Sequence, residues 1–158
     1  MEEREHLIQQ LDQAREKLRA ELVGLDTQIE IYPTWTIKQM LAHITGWDDA
    51  TLASLQAHAA GREPAVPASQ GINFYNAQTV ETRQALSYQQ VVQEWELTRE
   101  QLKTVIREMR PEKLAEPLVL PWGLTGTVAQ VVAIFADHEE EHAREIQKFF
   151  EHPSHDPT

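Results

Sequence analysis

The spacing of the apolar residues constrains this chain more than any other feature. In four long segments, apolar side chains recur every three or four residues, which is the period of one face of an α-helix. The first segment covers about residues 3–25, and the second follows Pro33 and reaches Gly61. The third segment ends before Pro111, and the fourth ends before Pro153. The alternation typical of β-strands is almost absent, so the pattern predicts an all-α fold.

Polar residues mark where three of these helices begin. Thr34 or Thr36 can cap the second helix. Two further pairs have the spacing of a capping box, in which a Ser or Thr and a Gln three residues later exchange hydrogen bonds with each other's backbone. These pairs open the third and fourth helices: Ser87 with Gln90, and Thr127 with Gln130.

Two long connections separate the later helices. Residues 61–75 are predicted to form a loop, and residues 76–84 a short helical lead-in to the third helix. The connection from the third to the fourth helix is rich in Pro and Gly. Four amphipathic helices of this length predict a four-helix bundle with long connections between helices two and three and between helices three and four. The prediction is one domain over residues 1–152 and a disordered tail over residues 153–158.

Composition and charge exclude several classes of function. The 158 residues suffice for one domain with a hydrophobic core. The formal net charge of -11 opposes binding to phosphate backbones and anionic membranes, so we expect neither nucleic acid nor membrane as a partner. The acidic N-terminus, without a long apolar run, predicts a cytoplasmic protein. Because the chain has no cysteine, thiol chemistry would need a thiol brought in from outside.

Three histidines give the strongest indication of function. His138 and His142 are four residues apart, so on a helix their side chains differ by about 40° in direction and can converge on one ion. The pair continues the apolar stripe of the fourth helix. His43 lies on the inward side of the second helix, three residues after Met40 and four before Trp47. Three such nitrogens would leave a metal one open coordination position, as in catalytic sites.

Two alternatives compete with this interpretation. The simplest is a solvated histidine pair, with the third histidine buried alone against a neighbour. The run over residues 138–142 also satisfies the HExxH motif of zinc proteases, with Glu139 as general base. The third ligand of the extended motif is absent, because Glu145 and Lys148 occupy its spacing. We expect the glutamates at 139–141 to form a solvated face, with at most one hydrogen bond to a ligand histidine.

The residues around these histidines resemble a known family. The segment 35–48 reads WTIKQMLAHITGWD and, together with the later HEEEH helix, resembles the DinB-like (YfiT-type) metal-binding four-helix bundles over nearly the whole chain. In that family, one histidine of the second helix and an HxxxH pair of the last helix bind a divalent metal, often nickel or zinc. The resemblance implies that the metal ligands here are His43, His138 and His142. Residues 73–81 are further similar to the ClbS/DfsB-like subgroup, some of whose members lack these histidines.

This family includes thiol-dependent transferases and isomerases, so the resemblance implies a low-molecular-weight thiol as a candidate second cofactor. We expect a metal-dependent enzyme of small molecules, either a hydrolase or a thiol-dependent transferase. The alternatives are a non-catalytic bundle that sequesters a small molecule or toxin, and a purely structural dimer subunit. Family members often form homodimers, and some apolar residues exceed what a four-helix core needs: Leu52, Leu55 and Phe150.

Four further side chains are candidates for contact with the substrate. Trp47 is four residues from His43 and could lie at the rim of a metal pocket. Asn73, Tyr75 and Asn76 lie in or beside the long loop and could close over the site, or instead form turns and caps.

The remaining conspicuous residues are expected to be structural. Trp35, Trp95 and Trp122 are interpreted as packing anchors. Asp48 points about 140° away from His43 on an ideal helix, which makes it a poor fourth ligand. The histidines without partners at useful spacing are predicted to be exposed: His6, His58, His152 and His155.

Overall fold

A computed structural model describes residues 2–32 and 35–151. Within these residues the helices are α1 (Glu2–Glu21), α2 (Ile37–Ala59), α3 (Ile72–Thr82), α4 (Tyr88–Glu108), α5 (Pro111–Ala115) and α6 (Val128–Glu151). Two short antiparallel strand pairs join β1 (Glu30–Tyr32) to β2 (Trp35–Thr36) and β3 (Leu118–Val119) to β4 (Thr125–Gly126). The predicted all-α fold is confirmed, and the short strands are an addition to it.

The four long helices form a bundle with an opening on one side. α2 packs closely against α4, and α1 packs closely against α6, whereas α2 and α6 are farther apart. At one end the four helices contribute Leu11, Leu55, Ile106 and Val132, and at the other end Leu18, Leu41, Val91 and Ile146. Because α1 and α6 pass from the first cluster to the second while α2 and α4 pass the opposite way, the helices run up, down, down, up. The parallel neighbours α2 and α4 therefore need a long return connection.

The helix starts follow the predicted capping residues. At the start of α4, the backbone N–H of Gln90 donates to Oγ of Ser87 at 3.1 Å, and the backbone N–H of Ser87 donates to Oε1 of Gln90 at 2.8 Å. The predicted pair before α6 makes the same two hydrogen bonds. Thr36 is the residue that precedes α2, while the alternative cap Thr34 lies outside the described residues.

The connections contain more regular structure than predicted. The pattern predicts a loop over residues 61–75, but α3 begins at Ile72, directly after Gly71 with its φ of 113°. The reason is that α3 buries only Thr79 and Val80, so it carries no apolar stripe that would reveal a helix. The connection after α4 likewise holds α5 and the pair β3 and β4.

The apolar residues cited for a homodimer are part of the core. Leu52 and Leu55 are buried, and Phe150 packs against a buried cluster. The homodimer therefore stays a prediction without that support. In the part of the chain that the structure describes, no helix is long and apolar enough to cross a membrane. The predicted disordered tail over residues 153–158, which includes His155, lies outside the described residues, and so does His152.

Candidate metal centre

Three histidine side chains from two helices converge on one point. His43 lies on α2, and His138 and His142 lie one turn apart on α6. The Nε2 atom of His138 is 3.2 Å from Nε2 of His43 and 3.1 Å from Nε2 of His142. One ligand nitrogen from each residue lies within 4.8 Å of the other two. The fold thus brings together the three residues that the spacing and the family resemblance single out.

Hydrogen bonds alone do not account for this arrangement. A neutral imidazole has one N–H donor and one acceptor nitrogen, so Nε2 of His138 either donates one proton or offers one lone pair. It cannot make a good hydrogen bond to both neighbours at once, whereas one cation can share all three lone pairs. Nitrogens about 2.0 to 2.1 Å from a tetrahedral zinc lie about 3.3 Å apart. The observed separations of 3.1 and 3.2 Å are close to this value, so the donor set fits a divalent metal.

Burial keeps the three imidazoles neutral. It lowers the pKa of His43 from 6.5 to about 3 and the pKa of His142 to about 4, and the charge that His138 would carry adds to both effects. Burial also lowers the pKa of His138, although the nearby Glu139 acts in the opposite direction. Because a histidine ligand must be neutral at its coordinating nitrogen, the rings are in the required state at neutral pH.

A carboxylate orients one of the three rings. Nδ1 of His142 lies 3.0 Å from Oε1 of Glu145, three residues later on α6. With the Nδ1 proton donated to this carboxylate, Nε2 presents its lone pair to the other histidines. The sequence prediction allowed one such contact from the glutamates at 139–141, so it placed the carboxylate on the wrong residue. A three-residue spacing on a helix is the signal that identifies Glu145.

A cavity of about 410 Å³ opens beside the histidines. His43 and His138 line it, and the rings of Trp47, Trp122 and Phe135 form an apolar wall. Trp122 packs against the cluster that contains Trp47 and Phe135, as expected for a packing anchor, and it also lines the cavity. The turn between β3 and β4 carries Trp122 to the site, which helix periodicity does not reveal.

α3 covers the side of the bundle where the cavity lies. Nε1 of Trp47 donates to Oδ1 of Asn76 at 2.6 Å, and Asn76 lines the cavity. The hydroxyl of Tyr75 donates to the backbone carbonyl of Gly46 at 2.7 Å. A Cβ at Gly46 would lie 1.8 Å from Oγ1 of Thr79, so only glycine allows α3 to approach α2 this closely.

The four predicted substrate contacts have different positions. Trp47 and Asn76 line the cavity, and their contact with a substrate stays a prediction. Tyr75 instead anchors α3 to α2 through its hydroxyl. Asn73 is exposed on α3 and is not among the described residues that line the cavity, so its contact with a substrate stays a prediction without support from the cavity.

Four charged side chains meet in the interior, one from each long helix. They are Arg15 of α1, Asp48 of α2, Arg99 of α4 and Glu139 of α6, and all four are buried. Arg99 donates to both carboxylate oxygens of Asp48 and to Oε1 of Glu139, at distances of 3.0 to 3.2 Å. Arg15 donates to the same two carboxylates at 3.1 and 3.2 Å. The two positive and two negative charges balance, which is the condition for burying them together.

The glutamates at 139–141 were expected to form a solvated face, and for Glu139 this prediction is wrong because its side chain is buried. Burial by itself would raise the pKa of Glu139, but Arg99 and Arg15 hold that pKa below its usual range. Its carboxylate also accepts a hydrogen bond from Nε1 of Trp95 at 3.2 Å. A carboxylate held by three donors in the core cannot act as the general base of an HExxH protease.

The remaining residues differ in how well they match the prediction. Trp95 is buried, as expected for a packing anchor, and Trp35 packs on the ring of His43 with centroids 5.0 Å apart. His6 is exposed as predicted. His58 was also predicted to be exposed, but its side chain is only 8% exposed and Nε2 lies 2.8 Å from the carbonyl oxygen of Lys113. That prediction is wrong because the connection after α4 folds over this residue.

Comparison with known proteins identifies the family. The sequence profile of the DinB superfamily matches residues 10–146, and this chain belongs to that superfamily. The family resemblance seen in the sequence is thereby confirmed. No match to a curated protein was found.

Several solved structures share the fold. The mycothiol-dependent maleylpyruvate isomerase aligns over 90% of this chain with a TM-score of 0.76 and 13% identity, and the chain spans only 60% of that enzyme. The colibactin self-resistance protein ClbS, solved in complex with double-stranded DNA, has a TM-score of 0.77 and 14% identity, with 94% of this chain and 95% of ClbS covered. An uncharacterised protein from Clostridium difficile 630 has a TM-score of 0.77 and 16% identity, with coverage of 94% and 95%. At these identities the likeness shows a common fold.

Proposed function

We propose that this chain is a divalent-metal-dependent enzyme that acts on a small molecule, as a hydrolase or as a thiol-dependent transferase. His43, His138 and His142 would hold the metal through Nε2. The observation that carries the proposal is the convergence of these three nitrogens beside a cavity that His43 and His138 line and that is large enough for a small molecule.

When bound, a divalent cation would lower the pKa of an incoming water or thiol and would polarise a substrate oxygen. The chain supplies the surroundings for this chemistry. Glu145 orients His142, and aromatic side chains form an apolar wall beside the histidines. Trp47 holds the carboxamide of Asn76 at the edge of the cavity. A thiol would come from outside, since the chain has no cysteine, and the mycothiol dependence named for the isomerase neighbour supports this route.

A second candidate function is sequestration of a small molecule or toxin without turnover. Apart from the histidines, none of the described residues that line the cavity is acidic or basic, so a separate proton donor or acceptor is missing there. The self-resistance role named for the ClbS neighbour is consistent with such a function.

Nucleic acid binding has to be tested separately. The ClbS neighbour was solved with double-stranded DNA, so the expectation that this chain binds no nucleic acid rests on its net charge of -11 alone. A mobility-shift titration with duplex DNA at low salt checks this expectation. A shift at micromolar protein would overturn it.

Metal analysis tests the proposed ligands. Purified protein is expected to contain a divalent metal, nickel or zinc, in a ratio of about one ion per chain. His43→Ala and His138→Ala should each remove most of it, while His6→Ala, an exposed histidine on α1, should not. Equal metal content in all three variants would reject the site.

Turnover separates the two candidate functions. The metal-loaded protein is incubated with a small thiol and an excess of an electrophile, and product is counted per protein chain. Several products per chain, lost on chelation and in His142→Ala, would support an enzyme. Uptake that stops at one molecule per chain would favour sequestration.

A further inference from the structure

We infer that the molecule that occupies the cavity beside the histidines has an aromatic body that carries no anionic group. The inference rests on the proposed function only for the role of the histidines at the end of the cavity. For the body of the ligand it rests on the side chains that line the cavity, whether or not a metal is bound.

The wall of the cavity is a cluster of aromatic rings. The centroid of Trp47 lies 6.0 Å from that of Trp122, with the rings at 71°, and 6.4 Å from that of Phe135. Trp122 and Phe135 are 6.3 Å apart and tilted by 47°. Tilted and edge-to-face rings at these separations are the arrangements that aromatic groups prefer. An aromatic ligand would therefore add one more ring to an existing cluster.

The mouth of the cavity is also apolar. Ile72 of α3 and Ile134 of α6 line the cavity, yet these residues are 52% and 42% exposed. Large aliphatic side chains that line a cavity and also face water gain free energy when an apolar ligand covers them. The two isoleucines thus extend the apolar contact from the aromatic wall to the entrance.

The lining offers no partner for a charged group. Among the described residues of the cavity wall, none is Lys, Arg, Asp or Glu. An anionic group on the part of the ligand that lies against the aromatic wall would lose hydration without gaining a counter-ion, and it would approach a chain with a net charge of -11. If a thiol is used, any carboxylate on it has to remain outside the cavity.

A matched pair of ligands tests this inference on the metal-free protein. Titration calorimetry compares benzyl alcohol with para-carboxybenzyl alcohol, which differs by one carboxylate. Benzyl alcohol is expected to bind at least about tenfold more tightly, because the carboxylate would be desolvated without a partner. Trp122→Ala should weaken benzyl alcohol binding by about tenfold or more. Trp122→Phe should retain most of it, and Leu97→Ala, an exposed site on α4, should retain all of it.

The outcomes separate this inference from the proposed function. Equal affinity for the two alcohols, no binding of either, or unchanged binding in Trp122→Ala would each overturn the inference, whatever the metal content. Discrimination between the alcohols in a protein that never takes up metal would support the inference while the proposed function fails. With zinc-loaded protein, benzyl mercaptan should likewise bind more tightly than para-carboxybenzyl mercaptan, and the reverse order would overturn the inference for the loaded site.

Discussion

Arg99 holds Asp48 by two hydrogen bonds in the middle of the bundle, from Nη2 to Oδ1 at 3.1 Å and from Nε to Oδ2 at 3.2 Å. The pair belongs to a layer of charge between two apolar clusters, since each long helix places its charged residue between members of those clusters. All four charges meet only in one register of the helices. We expect this layer to fix the register of α2 against α6, and hence the relative position of His43 and His138.

Removal of one charge from this layer should strongly lower the free energy of unfolding. Arg99→Met is expected to destabilise the protein by about 3 to 5 kcal/mol, because Asp48 and Glu139 would share one remaining buried cation. Urea denaturation followed by circular dichroism measures the change. Arg107→Met, an exposed arginine on the same helix, should change the free energy of unfolding by no more than about 0.5 kcal/mol. Similar losses of stability in both variants would mean that the buried arginine contributes no more to stability than the exposed one.

Much of the fold follows from local patterns in the sequence. The four long helices repeat apolar residues at helical spacing, and the capping pairs at Ser87 and Thr127 set where two of them begin. The missed elements lack such patterns. α3 buries two residues, and the strand pairs are two or three residues long, so their stability comes from contacts with the bundle. Sequence periodicity cannot report contacts of that kind.

The buried charges show a different limit of sequence analysis. Arg15 lies four residues after Leu11 and three before Leu18, so it occupies a core position of an apolar stripe. Arg99, Asp48 and Glu139 interrupt their stripes in the same way. A single charged residue on one stripe is commonly exposed at its tip. Only the packing of the four helices shows that the four charged side chains lie at one level of the bundle, where their charges neutralise each other.

Glu145 should affect metal affinity without being a ligand. Glu145→Gln leaves a side chain of similar size but a weaker acceptor for the Nδ1 proton of His142, so metal affinity should fall by about 10- to 100-fold. Competition with a fluorescent chelator measures the affinity. Glu141→Gln removes the same charge from an exposed position of the same helix and should have little effect. If the two variants lose equal affinity, net charge and not orientation is responsible.

Gly46 should be needed for the position of α3. Gly46→Ala puts a methyl group where Thr79 already lies, so α3 must move and the contact between Trp47 and Asn76 should weaken. The expected cost is about 1 to 3 kcal/mol of stability, together with weaker binding of benzyl alcohol in the cavity. Denaturation and calorimetry measure the two effects.

A double substitution checks that steric overlap is the cause. Thr79→Gly removes the atoms that the new methyl group would meet, so Gly46→Ala should cost less on the Thr79→Gly background than on the wild-type background. A coupling free energy of about 0.5 to 3 kcal/mol is expected. Strict additivity of the two substitutions would show that α3 does not depend on this contact.

The metal-free protein should lose stability as the pH falls from about 6.5 toward about 3. Burial lowers the pKa of His43 from 6.5 to about 3 and the pKa of His142 from 6.5 to about 4. Below about pH 6.5 these two histidines therefore bind protons in the unfolded chain while they stay neutral in the folded chain, which favours unfolding. Urea midpoints at pH 7 and pH 5 report this effect, because most carboxylates remain ionised above about pH 5. In the double variant His43→Gln with His142→Gln, neither side chain titrates, so the midpoint should change less between the two pH values. An equal pH dependence in both proteins would show that these rings take up protons in the folded state as readily as in the unfolded state.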